Sequence, residues 1–275
     1  MSDWREVNRA NWDERVPLHL KAPSYDLTPL RAGQGALHAI EAAELGDVAG
    51  LNILHLQCHF GRDSLILAQQ GATVVGIDFS PPAIAAARGL ARELGLEHRA
   101  RFIEADVYAA PDALAEPASF DLVFVTWGTT GWLPDLPGWA RVVAHFLRPG
   151  GRLYFADGHP AALVFEDATD DDAMPAFFAP YFGAGMLSLN DNRDYADPDA
   201  RLQHSEQRAW MHGIAEMLAA LQAAGLALDW LHEHPRLPWR MFRCLVADAD
   251  GLYRWPDRQW LPLAYSLQAS NGDPA

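Results

Sequence analysis

The groups in this chain whose type and position suggest chemistry are two carboxylates, a few imidazoles and one unusual turn. Asp78 closes the apolar run Thr73–Asp78 (TVVGID). It lies about 20 residues after the turn that follows the preceding apolar run, where a carboxylate can accept hydrogen bonds from two ribose hydroxyls. The same carboxylate could instead serve as the neighbour of a helix cap. The turn reads Leu56-Gln57-Cys58-His59-Phe60-Gly61-Arg62-Asp63, with a single glycine among bulky neighbours. A dinucleotide site needs Gly-x-Gly-x-x-Gly so that backbone and helix N-terminus can approach a pyrophosphate, so an NAD(P)-dependent oxidoreductase is a disfavoured alternative.

His159, in Asp157-Gly158-His159-Pro160, follows another apolar run. Its ordinary pKa near neutrality suits a general base, though a surface histidine in a turn reads the same way. His212 precedes a helical pattern and could cap it or face a pocket. His55 lies inside an apolar strand and reads as a satisfied core histidine. His232-Glu233-His234 puts two imidazoles on one face of a strand, but no third ligand accompanies them and no metal is expected. No Gly-x-Ser-x-Gly turn is present, which disfavours a serine hydrolase.

The elements that must position these groups alternate between strand and helix, the pattern of a parallel sheet covered by helices. Strands are expected at Asn52–Leu56 (NILHL), Thr73–Asp78, 101–104, Phe120–Thr126 and 152–157, with later ones at 226–232 and 261–269. Helices are expected at 62–70, after Ser80 and Pro81 up to Gly95, at 138–146 and at 213–224. Ser80 can cap the second of these, Pro81 suits its first turn, and Ile84, Ala87, Ala91 and Leu94 repeat at helical spacing. The sum is an α/β, Rossmann-like, doubly wound seven-stranded sheet with helices on both faces, whose ligands bind at the carboxyl ends of the strands.

With no linker or repeat to divide it, residues 1–275 read as one domain: a helical lid over 1–50, a binding core over 51–157, an insertion over 158–212, then the last helix and strands. The insertion breaks the periodic pattern with Pro160, Pro175, Pro180 and an acidic run of Glu166, Asp167, Asp170, Asp171 and Asp172. A segment this long without regular structure is expected to be a lid or a binding element.

At these residues the chain resembles class I S-adenosylmethionine-dependent methyltransferases, firmly over residues 52–157 and in topology over most of its length. The family's first motif is an acid, a leucine and a Gly-x-Gly-x-Gly turn. His55 stands for the acid, Gln57 and His59 for two of the glycines, and Gly61 is kept. A bacterial subgroup with a Leu-Gln-Cys-His-Phe-Gly turn is similar. The resemblance implies S-adenosylmethionine as cofactor, with Asp78 on its ribose, Phe79 over its adenine, and Asp106 and the Val107 backbone at the adenine edge. Asp106 could equally be a turn former.

Phe120-Asp121-Leu122-Val123 and Leu147-Arg148-Pro149-Gly150-Gly151 match further family signatures. Thr126, at the end of the fourth strand, is implied in cofactor contact and Trp127 in substrate contact. Asp157 and His159 are expected on the substrate side, with His159 and His212 as candidate bases. Methyl transfer from a sulfonium needs alignment above all, and a base only where the nucleophile must lose a proton. Ten tryptophans are present; aromatic faces attract cations, and Trp12, in the polar segment 8–19, is expected to fold over the sulfonium. A non-catalytic member of the fold is the other alternative, since the first motif is altered.

Composition narrows the acceptor. Twenty-one basic against thirty-six acidic residues give a net charge of −15, with Lys21 the single lysine. Nucleic acid is bound mainly through basic side chains, so a small molecule is the expected substrate. The uncharged stretch 174–190 is broken by Pro175, Pro180, Gly183 and Gly185, too short and interrupted for a membrane span. No secretory signal is evident at the start, and Cys58 and Cys244 have no metal spacing, so a cytoplasmic location is expected. Composition and pattern leave oligomeric state open.

Overall fold

The computed structural model describes residues 3–167, 174–197 and 199–272. A seven-stranded sheet forms its centre. The strands in chain order are β1 (Asn52–Leu56), β2 (Thr73–Asp78), β3 (Ala100–Glu104), β4 (Phe120–Thr126), β5 (Leu147–Gly158), β6 (Leu226–His234) and β7 (Ala264–Asn271). They lie in the order β6-β7-β5-β4-β1-β2-β3. The first five are parallel to one another, whereas β7 runs antiparallel to both β5 and β6. The sheet is therefore mixed. The connection leaving β6 returns at the same end of the sheet, which forces β7 to reverse direction.

The principal helices are α1 (Trp4–His19), α2 (Arg62–Gln69), α3 (Pro81–Glu93), α4 (Leu136–Phe146) and α5 (Ile214–Ala223). The inner parallel strands β1, β2 and β4 are nearly continuous apolar runs because both sheet faces are covered. Alternation along β1 sends Leu54 and Leu56 into one core with Trp139, Phe155 and Met217. Ile53 goes into the opposite core with Leu65, Ile84 and Phe124, as a two-residue period dictates. Ser80 caps α3 by accepting from Ala83 N, and Pro81 sits in its first turn.

Two segments stand outside this pattern. The first, 158–212, contains a hairpin of Met186–Asn190 against Glu206–Trp210 and a two-residue pairing of Phe165–Glu166 with Ala176–Phe177. The expected acidic run is described only at Glu166 and Asp167; Asp170, Asp171 and Asp172 lie outside the described residues. The second segment, 235–263, lies between the last two strands, the final one starting at Ala264 and not at the expected residue 261. This segment folds into a three-stranded sheet over its own small core of Leu237, Phe242, Leu245, Trp255 and Leu263. Two-residue strands leave too little alternation to register as a period. Among the described residues, no helix is long and apolar enough to cross a membrane.

Candidate functional site

A cavity of about 630 Å³ opens at the carboxyl ends of β1, β2 and β4, where the reversal of strand order in a doubly wound sheet leaves a crevice. Its floor carries Gln57 and His59 after β1, Asp78 and Phe79 after β2, Asp106 and Val107 after β3, and Thr126 and Trp127 after β4. Its roof comes from α1 and from both irregular segments.

The turn after β1 carries backbone strain. Gln57 and His59, at two positions where the resembled family has glycine, have φ of 57° and 51°. Left-handed backbone at a non-glycine residue costs roughly 1–2 kcal/mol. Local bonds hold it: Gln57 Nε2 donates to Thr129 O at 2.9 Å, and the His59 N–H donates to Asp78 Oδ2 at 2.8 Å. Gln57 Oε1 is buried with no partner among the described residues. Trp127, on the facing wall, is also left-handed, at φ 54°. Its indole N–H donates to Glu41 Oε1 at 2.8 Å.

Asp78 is buried, with Oδ1 accepting from Ser80 N at 2.9 Å. Burial pushes its carboxyl up to about 6, against the lowering pull of the Ser80 and His59 N–H groups. Asp106 holds Tyr108 N at 2.9 Å and the Arg5 guanidinium at 3.0 Å. Arg5 belongs to a stripe on α1 at four-residue spacing, one helix face. Arg9 lies 5.8 Å over the Phe79 ring, and Asp13 accepts from Ser80 Oγ at 2.5 Å. The opposite stripe binds the 158–212 segment: Asn8 to the Arg208 backbone, Asn11 to His204 O, and Arg15 to Asp194 at 2.8 Å. One helix thus joins the crevice to its cover.

Four expected residues do not line the cavity. Gly61 (φ 77°) sits where a Cβ would come within 2.6 Å of the Phe102 ring, so it serves close packing of the turn against β3. Asp157 was expected on the substrate. Its carboxylate instead accepts from Gly128, Thr129 and Gly158 N at 2.6, 3.0 and 2.7 Å and fixes the backbone after β4. His159 Nδ1 accepts from Ala161 N at 3.1 Å and Nε2 meets Glu233 at 3.0 Å, so neither ring nitrogen is left for an acceptor. His212 Nε2 bonds Leu133 O at 2.7 Å. His55 is a core histidine bonded to Ser64 Oγ at 2.8 Å, and burial holds its pKa down near 4; its ring also reaches the cavity wall. His232 and His234 bond Glu44 and Ser266.

The residues missed from sequence are the roof aromatics and cations: Tyr25, His38, Tyr195, Trp239, Arg240 and Tyr253. A signal existed in the tryptophan excess, since five of the ten tryptophans line this cavity.

Residues 53–151 match a methyltransferase domain family. A ubiquinone biosynthesis O-methyltransferase of Xylella fastidiosa (strain M23) is 28% identical over 80% of this chain and 81% of its own. The protein of the same name from Xanthomonas euvesicatoria pv. vesicatoria (strain 85-10) is 31% identical over 75% and 78%. Among solved structures, an S-adenosylmethionine-dependent methyltransferase from Mesorhizobium loti superposes with a TM-score of 0.58, covering 83% of this chain and 94% of that one at 21% identity, a likeness of fold. The chain is an enzyme of the S-adenosylmethionine-dependent methyltransferase family, and S-adenosylmethionine is its cofactor.

Proposed function

We propose that this enzyme methylates a hydroxyl oxygen of a small, largely aromatic molecule, and that cofactor and acceptor share the cavity between sheet and roof. The observation that carries the reading is the division of that cavity: carboxylates at the ends of β2 and β3, and aromatic rings on the opposite wall. Asp78 is a buried carboxylate held at a raised pKa by its surroundings, and two ribose hydroxyls would supply the hydrogen bonds its charge lacks. Phe79 would cover the adenine, with Asp106 and the Val107 backbone at its edge. The unpartnered Gln57 Oε1 is an acceptor suited to the cofactor's ammonium group, with His59 and Thr126 beside it. Trp12 would face the sulfonium, which the ring quadrupole favours.

Bound there, S-adenosylmethionine supplies an electrophilic methyl on an excellent leaving group. The protein's part is to align the acceptor and keep water out. Trp127, Trp239 and Tyr253 form the wall for the acceptor, and α1 with both irregular segments forms the lid. The preference for oxygen is supported by the two relatives above, both of them ubiquinone biosynthesis O-methyltransferases. The net charge of −15 supports a small molecule over nucleic acid. Methyl-labelled S-adenosylmethionine offered with phenols, catechols, amines and thiols tests the reading. Label transferred to a phenol or catechol is expected; label going only to amines or thiols would refute the choice of oxygen.

A further inference from the structure

A hydroxyl acceptor must lose a proton, and the two histidines first suggested for that task have both ring nitrogens or their cavity access taken. A different histidine is available. His59 lines the cavity and its Nε2 lies 2.9 Å from His19 Nδ1. His19 is completely buried, and its Nε2 lies 3.0 Å from Asp194 Oδ2. The same oxygen accepts from Arg15 Nη1 at 2.8 Å, while Oδ1 accepts from Ala196 and Asp197 N at 2.8 and 3.0 Å.

The proton positions along this chain follow from charge and hydrogen-bond roles. Asp194 is surrounded by donors and is held down to about 2, so it is an ionised acceptor. Arg15 already balances its charge, and the arrangement that leaves no second, uncompensated cation buried is the one in which the His19 ring carries a single proton. His19 must then donate through Nε2, which leaves Nδ1 as an acceptor. His59 must donate to it through Nε2. The remaining lone pair, on His59 Nδ1, has no partner among the described residues.

We propose that His59 is the base for methyl transfer and that His19 and Asp194 are positioning residues that hold its ring in the tautomer with Nδ1 free. This inference rests on the hydroxyl reading above. As the acceptor oxygen forms its bond to the methyl carbon, its proton passes to His59 Nδ1. The carbon–sulfur bond breaks with its electron pair remaining on sulfur, and the imidazolium then releases its proton to water. The charged and titratable groups around the ring are His19 and Arg15 from α1, Tyr25 from the connection after it, Asp194 and Tyr195 from the insertion, Cys58 in the same turn, and Asp78 bonded to its backbone N–H. Burial pushes the His59 pKa well below the ordinary range. The ring is therefore neutral at pH 7, with its lone pair free.

The test is ¹⁵N NMR of the histidine rings in the protein saturated with S-adenosylhomocysteine. It is combined with titration calorimetry of that compound and with kcat against pH for catechol methylation. The wild type is expected to show His59 protonated on Nε2 and bare on Nδ1 at pH 7. His19→Asn should release that preference and give mixed tautomers, an effect that a purely structural role for His19 would not produce. Asparagine tolerates the left-handed backbone at position 59. At saturating S-adenosylmethionine, His59→Asn should therefore lower kcat about 100-fold or more, the usual range for losing a general base, and remove the acid limb of kcat against pH. The wild-type acid limb should lie below the ordinary histidine range. A wild-type ring protonated on Nδ1, or a His59→Asn variant with unchanged kcat at saturating S-adenosylmethionine, would overturn the proposal. Absence of S-adenosylhomocysteine binding in the wild type would instead remove the functional reading beneath it.

Discussion

The floor and the roof of the cavity are built on different principles. The floor stands on strands whose side chains are almost wholly apolar and fully buried, such as Ile53, Leu54, Val123 and Phe124. The roof is joined by buried polar residues, Asn8, Asn11, Arg15, His19 and Asp194, each bonded to a particular partner. Apolar burial is non-directional and tolerant of small shifts. Buried polar pairs have one good arrangement and are strongly disfavoured when half made. A floor of the first kind keeps strand ends fixed, while a roof of the second kind closes in a single register. Exposed Phe177 and Phe182 in the same cover, against none so exposed on the sheet, mark the same contrast.

Disrupting each half in turn should separate them. Gly61→Ala introduces a Cβ against Phe102 at a left-handed position, and the overpacking and strain together should destabilise the whole molecule by about 3 kcal/mol. Thermal unfolding followed by circular dichroism should show one lower midpoint. Asp194→Ala leaves Arg15 and His19 buried without their acceptor, a loss of about 3 kcal/mol when the pair is buried. Here the loss should fall on the roof. Hydrogen exchange should speed up across α1 and the 186–210 hairpin while β1, β2 and β4 stay protected. Equal acceleration in the strands would show that roof and floor unfold as one unit.

Glu41 sharpens the comparison at the boundary. Its carboxyl is fully buried under Trp127, and burial pushes its pKa up to about 8 from 4.5. The folded state therefore binds this proton more tightly than the unfolded chain. Stability contributed by the neutral acid is lost as pH rises from about 4.5 to about 8. Glu41→Gln, which keeps an acceptor for the indole N–H, should flatten that decline and unfold at a higher temperature than wild type at pH 8.5. Identical pH profiles would contradict the burial of an ionisable group there.

Smaller still is the effect expected for Arg5→Ala. A half-exposed guanidinium on Asp106 contributes about 1 kcal/mol or less. The variant should alter the salt dependence of cofactor binding more than its strength, as calorimetry at two ionic strengths would show.

The halves also differ in how far they can be read from sequence. β1, β2 and β4 were placed to the residue because buried parallel strands are uninterrupted apolar runs ended by polar turns, and α3 was located by Ser80, Pro81 and Gly95. Asp78 stood out by its position at the end of β2, and Asp106 by the family resemblance. The roof left no such periodic trace. Asp194 and His19 are 175 residues apart, and nothing local marks either as the other's partner. His159 and His212 looked available because a sequence shows residue type without hydrogen-bond partners; Glu233 and Leu133, which engage them, are also remote. Gln57 and His59 stood out as departures from glycine, and only the backbone angles reveal that the left-handed geometry was kept despite the side chains.

The claim on which the account depends is that the crevice beside Asp78 receives the adenosyl group. Titration calorimetry of wild type and Asp78→Ala with S-adenosylhomocysteine tests it most directly. Wild type should bind at one site per chain, and the variant at least about tenfold more weakly, the scale of a lost charge-assisted hydrogen bond. The weakening should also appear in wild type as pH falls through about 6, where Asp78 takes up its proton. Equal affinity of the two proteins, with no pH dependence in that range, would place the ribose elsewhere and contradict the account.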